Sequence, residues 1–597
     1  MRADHRLKDA TREKRIFTFR ALVALLFMLV LVSALVTRLY QLQLVNYQHF
    51  QTLSDKNRMQ LQSIAPNRGL IYDRNGVLLA DNQPIFNLAI IPEDVESIDV
   101  AIAEIKTVIE VTPDQIKRFK KQLKRSRRPF QAVVLKSKLS EKEIARIEVR
   151  RHELLGIKVQ AELARHYSMG TYTAHSIGYV GRINEKELTK LDEQNYSDTN
   201  YIGKSGVEHF YEDELHGQVG FQTVEINASN RILRTLERTE PIPGRDLTLY
   251  MDSRLQKKAS DLLKERRGAV VAIEPATGGI LALVSTPSFD PNEFVTGIDY
   301  KSYAALRDSL DLPLFNRAIK GQYPPGSTIK PILGFGGLDS KTVTRDYSIW
   351  DEGFYKLKND ERIYRDWKRR GHGRINVTSA IVQSCDTYFY NLAFKMGVDN
   401  MSKYLGYFGI GQNPSIDISE ARSGILPTRE WKKALKGRAW YPGDSLNMGI
   451  GQGFMLVTPL QLATATAIIA NRGRVIRPAL LMSSKFYGKA GSPLNKEIKK
   501  RKIKANEFKF DNLSDMNFII KAMSEVMHGK HGTARSSGRH AKYRMAGKTG
   551  TAQVALGSKG FSKTSHTASF AGYFPADKPK YTCSALRSST FHSTRSR

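Results

Sequence analysis

Ser327 stands three residues before Lys330 in Tyr323-Pro324-Pro325-Gly326-Ser327-Thr328-Ile329-Lys330-Pro331, and no other serine in the chain precedes a lysine at this spacing. On a helix, positions i and i+3 share a face, so the hydroxyl and the amine come within reach of each other. A serine hydroxyl becomes a nucleophile when a neighbour takes its proton. A lysine does so only as the neutral amine, a form favoured by burial or by a nearby cation. Two further groups could complete such chemistry: Ser384-Cys385-Asp386, and Lys548-Thr549-Gly550-Thr551, whose first three residues also occur once only. Each motif alone is a weak signal, since a surface serine and a solvated lysine share a helix face by chance in many proteins.

These residues need elements to hold them. Pro324, Pro325 and Gly326 bar an earlier helix, which predicts Ser327 in a first helical turn, where unpaired backbone N–H groups favour negative charge. Ser384-Cys385-Asp386 is expected to open a second helix, and Met545 to Val554 reads as a strand. Gly268 to Glu274 and Gly279 to Val284 read as two antiparallel strands joined by a Pro-Ala-Thr-Gly turn, the start of a buried sheet. Pro459 to Ile469, small and apolar, reads as a core helix.

At 597 residues the chain exceeds one core, and two or three domains are expected. Its net charge of +33 raises nucleic acid or an anionic membrane as partners. The basic residues fall in separate runs, Lys117 to Arg128 and Lys496 to Lys504, with no finger, RNP or basic-zipper pattern around them, which argues against nucleic acid. Solvated faces drawn to acidic lipid or an anionic polymer fit better. Two cysteines, Cys385 and Cys583, make no disulfide framework, although they could form one bridge.

Arg2, Arg6, Lys8, Arg12, Lys14 and Arg15 precede a charge-free run from Ala21 to Thr37. Residues 16–37 are therefore expected to span a bilayer as an uncleaved anchor, with residues 1–15 a cytoplasmic tail and everything after Arg38 on the far side. The apolar spacing from Arg38 to about Gln62 predicts an extension of the anchor helix. Asn75-Gly76 between apolar runs predicts a hairpin. Residues 96 to 158 read mainly as helices, one starting at Thr112-Pro113 and another with Ser140 and Glu143 as a capping box. Composition changes near Pro241-Ile242-Pro243-Gly244.

In the order Ser-x-x-Lys, Ser-x-Asp, Lys-Thr-Gly, the three motifs resemble those of penicillin-recognising acyl-serine transferases. Arg68-Gly69-Leu70-Ile71-Tyr72-Asp73-Arg74-Asn75-Gly76, Gly203-Lys204-Ser205-Gly206-Val207-Glu208 and Asn316-Arg317-Ala318 extend the resemblance to the class B penicillin-binding proteins, on their elongation branch in Gram-negative bacteria. The acidic motifs of a glycosyltransferase domain are absent after the anchor, so the chain resembles the monofunctional members. The resemblance implies an α+β multidomain protein of the bacterial inner membrane. A non-catalytic, elongated pedestal of the dimerisation type occupies 38–245. A transpeptidase domain, mostly antiparallel sheet flanked by helices, lies at 246–583 on the periplasmic side.

It also implies roles. Ser327 attacks the carbonyl between the last two D-alanines of a peptidoglycan stem peptide, expels D-alanine and becomes acylated. Lys330 is the base, Lys548 keeps it neutral by repulsion, and Ser384 relays a proton with Asp386 as its support. Backbone N–H groups of Ser327 and Thr551 receive the oxyanion. Lys548, Thr549 and Thr551 take the substrate's terminal carboxylate, and Gly550 lets an extended peptide lie along the strand edge. An amine of a neighbouring stem then accepts the acyl group, and β-lactams mimic the donor. Implied partners are an elongation polymerase of the shape, elongation, division and sporulation (SEDS) family and a rod-complex scaffold.

Asp351, Asp366, His372 and Cys385 offer donors for a four-coordinate zinc at a spacing that fits no zinc finger. On residue types alone, a buried cysteine and a surface histidine are the commoner outcome. The resemblance implies a structural zinc there and no cofactor for catalysis. Two rivals remain, a β-lactamase or β-lactam sensor and a catalytically impaired wall scaffold. Against the first, no Glu-x-x-x-Asn lies between Ser384 and Lys548 to supply a hydrolytic base. In favour of the second, residues 584–597 read as an aberrant polar tail where the family has an apolar central strand. This predicts a sheet short of packing and of backbone partners, and a loss of stability.

Overall fold

The computed structural model describes all residues except 1–9, 47–58, 126–131, 198, 227–231, 265, 359, 487–512, 554–565 and 589–597. Most of the expected cytoplasmic tail, the basic run Lys496 to Lys504 and the chain end beyond Ser588 thus lie outside the described residues. The chain divides into two compact units, Met1–Ile64 with Val219–Pro241, and Ala65–Gln218 with Ile242–Arg597.

In the first unit one helix runs Ala10–Tyr40, and Lys14–Val45 is apolar and long enough to cross a membrane. The helical pattern does not continue to Gln62. Met59–Ile64 is a strand, antiparallel to Gly220–Ile226, which pairs in turn with Ile232–Thr239. Met59-Gln60-Leu61-Gln62 alternates with period two, and that local pattern outweighs the wider helical spacing.

The second unit holds the motifs. Asn75-Gly76 does turn a hairpin between Ile71–Tyr72 and Leu78–Ile90. The Asp73 carboxylate accepts from Asn75 N at 2.7 Å and Val77 N at 2.8 Å, and Gly76 takes φ +81°. Helices Ile98–Val108, Pro113–Arg125 and Glu141–Val149 follow, the last with the expected Ser140–Glu143 capping box. Ile71–Tyr72 also pairs in parallel with Asp246–Leu249, which ties residues 65–218 to the C-terminal half. Two of the stretches singled out in sequence meet in this unit: Arg68 Nε donates to Glu208 Oε2 at 2.8 Å, and Arg165 Nε donates to Glu208 Oε1 at 2.7 Å. This ion-paired group is almost wholly buried, so removing one partner leaves a costly unpaired charge.

The catalytic half is built on five strands: β1 (Gly268–Ile273), β2 (Ile280–Thr286), β3 (Ala546–Gln553), β4 (His566–Phe574) and β5 (Tyr581–Ser588). Their order is β2-β1-β5-β4-β3, all neighbours antiparallel, so β3 is an edge. Helix α1 (Pro459–Ala470), capped by Thr458 and Gln461, is buried along its whole length and packs on β5, β1 and β4.

The expectation for the chain's end is corrected in part. The strand does not stop at Cys583: Ser584 to Ser588 continue it, with a full ladder to β1 and β4. Backbone partners are therefore present. Thr582, Ser584, Leu586 and Ser588 alternate inward with period two, so an alternation exists that residue type alone concealed. What is missing is chemistry on that inner face. The hydroxyls of Thr567, Tyr573, Thr582, Ser584 and Ser588 are buried without a hydrogen-bond partner among the described residues. Each such group costs about 1–3 kcal/mol. Replacing Thr582 by Val and Ser584 by Ala together should stabilise the protein by roughly 2–5 kcal/mol, read as a shift in denaturant midpoint at constant slope. A midpoint that falls would mean these hydroxyls are already satisfied by ordered water.

Candidate active site

Ser327 lies in a short 3-10 turn, Gly326–Ile329, that runs directly into helix α2 (Lys330–Asp339) with Pro331 near its start. The chain stop read from Pro324-Pro325-Gly326 therefore places Ser327 at a helix start, as expected. Gly326 has φ +57°, and a Cβ there would sit 2.9 Å from Thr551 O. A Cβ on Gly550 would meet Ser569 Oγ at 2.6 Å and Pro325 O at 2.8 Å. Gly550 is thus demanded by the approach of the Ser327 turn to strand β3, a reason that differs from room for a substrate along the edge.

Ser384 does not open a helix. It ends α3 (Val377–Gln383) in the left-handed region, φ +59° and ψ 35°, and Cys385 then caps α4 (Asp386–Tyr407), its Sγ accepting from Tyr388 N at 3.3 Å. A non-glycine residue pays strain for that conformation, and here it delivers the Ser384 hydroxyl to the two lysines.

Lys330 is fully buried and spends its ammonium donors on the second motif: Ser384 O at 2.8 Å, Cys385 O at 3.2 Å and the Asp386 carboxylate at 2.7 Å. Lys330 Nζ also lies 3.5 Å from Ser384 Oγ. Lys548, equally buried on β3, donates to Ser384 Oγ at 2.9 Å and to Thr549 O at 3.1 Å. Among the described residues no hydrogen bond joins Ser327 Oγ to Lys330 Nζ. Ser384 is the residue that touches both amines.

Burial, and after it the charge on Lys330, push Lys548 well below the ordinary lysine range, while Asp386 opposes the shift. Burial first, and the charge on Lys330 second, therefore favour the neutral form of Lys548, and Lys330 forms the ion pair with Asp386.

Ser327, Ser384, Asp386, Thr549, Gly550 and Thr551 line one cleft of about 300 Å³. Four further residues line it that sequence reasoning missed: Trp367, Ile450, Gln452 and Thr533. Thr533 Oγ1 is 3.0 Å from Thr549 Oγ1. The signal for Gln452 was available as a polar residue between two glycines, 451 and 453. Nothing local marks Trp367, which enters through the loop that precedes α3.

That loop carries three of the four candidate metal ligands, Asp351, Asp366 and His372, and the fourth, Cys385, lies between α3 and α4. The donor atoms of Asp351, Asp366, His372 and Cys385 all lie within 4.8 Å of one another, and the His372, Asp351 and Asp366 side chains are fully buried. Asp351 Oδ2 meets His372 Nδ1 at 2.6 Å and accepts from Cys385 Sγ at 3.4 Å. Burial and the two carboxylates drive the Cys385 thiol far above its usual range, and His372 Nε2 has no hydrogen-bond partner among the described residues. Two buried carboxylates, a thiol and an imidazole facing one point, with no cation among them, fit the donor set of a divalent metal. Asp366 has a second task, accepting from Asp386 N at 2.7 Å and Thr387 N at 3.1 Å at the start of α4. Both cysteines are free, so the possible bridge between them is not formed.

Residues 268–590 match the family described as penicillin binding protein transpeptidase domain, and residues 63–249 match the penicillin-binding protein dimerisation domain. The chain is 43% identical over 583 residues to the peptidoglycan D,D-transpeptidase MrdA of Acinetobacter baumannii, covering 96% of this chain and 85% of that one. It is 41% identical to MrdA of Escherichia coli K12, covering 93% and 87%. Among solved structures, PBP2 of Pseudomonas aeruginosa in complex with WCK 5153 is 38% identical with a TM-score of 0.67, covering 89% of this chain and 92% of that one. PBP2 of Helicobacter pylori in complex with MreC is 29% identical with a TM-score of 0.76, covering 89% and 95%. With residues of all three motifs lining one cleft and both domain models matched in order, this chain belongs to the penicillin-binding protein transpeptidase family.

Proposed function

We propose that this protein is a serine-type peptidoglycan D,D-transpeptidase that cross-links stem peptides during cell elongation, anchored in the inner membrane by residues 16–37 with its catalytic domain in the periplasm. The observation that carries the reading is the contact of Ser384 Oγ with both Lys330 and Lys548 in the cleft that Ser327 lines.

The mechanism follows from that geometry. Ser327 Oγ attacks the carbonyl between the two terminal D-alanines of a donor stem. Its proton passes into the Lys330, Ser384 and Lys548 chain, which holds a neutral amine at Lys548 to receive it. The same chain returns a proton to the departing D-alanine nitrogen as the C–N bond breaks. N–H groups of Ser327 and Thr551 suit the developing oxyanion, each worth roughly 3 kcal/mol in such sites. Thr549, Thr551 and Lys548 suit the donor's terminal carboxylate. An amine of a second stem resolves the acyl-enzyme. β-Lactams, which present a strained amide beside a carboxylate, would stop at the acyl stage.

A structural zinc held by Asp351, Asp366, His372 and Cys385 completes the reading. When bound, it supplies charge compensation and a cross-link between the loop and α4, and no activated water. The scaffold MreC accompanies one relative, which supports a rod-complex scaffold as a partner, and a SEDS polymerase is proposed from the family resemblance.

The experiment is acylation of the full chain in detergent with a labelled penicillin, followed by intact mass and peptide mapping. One adduct on Ser327 is expected. A protein that takes no adduct, while a control penicillin-binding protein does, would be the impaired scaffold instead. Fast turnover of the penicillin would favour the β-lactamase.

A further inference from the structure

Trp367 is 59% exposed although it lines the cleft beside Ser327, Ser384 and Thr549. It is nevertheless held firmly. Its Nε1 donates to Gln383 O at 3.2 Å, in the residue just before Ser384, and its ring meets His372 edge-on at 5.6 Å between centroids. The preceding residue, Asp366, is fixed by the N–H groups of Asp386 and Thr387. A large ring anchored on these sides, yet left open to solvent in a cleft, is poorly explained as packing and well explained as a platform.

The cleft has two unlike walls. Strand β3 offers the hydroxyls of Thr549 and Thr551, which suit a carboxylate, with Lys548 buried behind them. The second side, formed by the loop before α3 and the junction of α3 and α4, offers Ser384, Asp386 and the indole of Trp367. An indole face attracts an alkylammonium and the apolar chain that carries it, and it disfavours a carboxylate. Ser384, the residue that must pass a proton to or from an amine nitrogen, lies on this second side, one residue beyond the carbonyl that Trp367 holds. We propose that Trp367 anchors the acyl-acceptor subsite, taking the aliphatic side chain and primary amine of the incoming stem peptide. Lys368, Arg369 and Arg370, exposed and next in the chain, complement the carboxylates of the same stem.

The inference rests on the transpeptidase reading and assigns it a direction of approach. The acceptor, once deprotonated, attacks the acyl carbon, so a C–N bond forms and the C–Oγ bond of Ser327 breaks. The second proton of that nitrogen travels through Ser384 to Ser327 Oγ, which leaves as the free hydroxyl, and no other reactant is needed.

The test uses the full chain in detergent, a thioester analogue of an acyl-D-alanine donor, and a tripeptide carrying one free side-chain amine as acceptor. Trp367→Ala should lower the ratio of aminolysis to hydrolysis at least tenfold, and lower aminolysis at least five times more than it lowers acylation by penicillin. Trp367→Phe, which keeps an aromatic face, should stay within threefold of the wild-type ratio. If Trp367→Ala has a lowered melting temperature, Trp367→Leu is read in its place. An unchanged ratio in the alanine or leucine variant overturns the subsite, as does an equal loss of acylation and aminolysis. A wild-type chain that takes no penicillin at Ser327 would overturn the transpeptidase reading itself, and a labelled chain with an unchanged variant ratio would overturn the subsite alone.

Discussion

Lys548→Ala should slow acylation by a fluorescent penicillin roughly 10²–10⁴-fold, the contribution of a positioned acid–base group, while Ser327→Ala should abolish it. The reasoning starts from the contacts. Among the described residues Lys548 has no carboxylate partner; it touches Ser384 Oγ at 2.9 Å and is pushed down by burial and by the Lys330 charge. It is therefore the amine that is free to accept a proton, and Lys330, paired with Asp386, supplies the repulsion. The rate of acylation should rise with pH through a value well below the ordinary lysine range, as Lys548 loses its proton. Asp386 opposes the downward shift, so Asp386→Asn should move this rising limb to lower pH even as it lowers the plateau. Stability should follow the same sign. The unfolded chain binds the proton that folded Lys548 gives up, so stability rises with pH between the depressed value and the ordinary one. Stopped-flow acylation across pH decides the matter. A Lys548→Ala rate within tenfold of wild type would remove Lys548 from the proton path.

Removing the metal should be the second large effect. A structural zinc adds folding free energy directly, on the order of 10 kcal/mol in small zinc domains, and a part of that is expected here because the catalytic core folds around other contacts as well. Cys385→Ser, or prolonged chelation, should remove one equivalent of zinc and lower the melting temperature by at least about 5 °C. Activity should fall with it, since Asp366 both faces the candidate ion and holds the N–H groups of Asp386 and Thr387. Acylation is expected to drop by roughly tenfold as the second motif loosens, the scale of loss seen when groups that orient a site are removed. Metal analysis beside calorimetry checks this. Equal metal content and an equal melting temperature in Cys385→Ser would end the zinc reading.

Much of this site was legible from residue order because its parts are local. Pro324-Pro325-Gly326 fixes where a helix can begin, so Ser327 could be placed in its first turn from four residues. Lys548-Thr549-Gly550 sits in a short alternating strand, and Asn75-Gly76 admits few backbone shapes besides a tight hairpin. What stayed hidden depends on contacts between distant residues. The downward shift of Lys548 follows from its burial beside the charge on Lys330, whose ammonium Asp386 reaches, an arrangement that no spacing records. The left-handed backbone of Ser384 follows from two helices meeting there, and serine carries no mark of it. Trp367 acquires a role only because the segment between Asp351 and Gly373, which includes the hairpin of Phe354–Lys356 with Ile363–Arg365, folds back on α4. The C-terminal strand was obscured for another reason: its place is secured by backbone bonds to β1 and β4, so polar residues that would be discouraged there by packing still complete the ladder.

The nucleophile turn and the edge strand are interlocked at the level of the main chain, with Gly326 against Thr551 O and Gly550 against Pro325 O. Side chains can swing aside, but abutting peptide groups cannot, so these two walls travel as one block. Any widening of the cleft is then expected at the remaining jaw, the loop that bears Trp367, with loss of its bond to Gln383 O. Bulky inhibitors that need a wider mouth should bind by displacing that jaw, and their affinity should respond to whatever stiffens it.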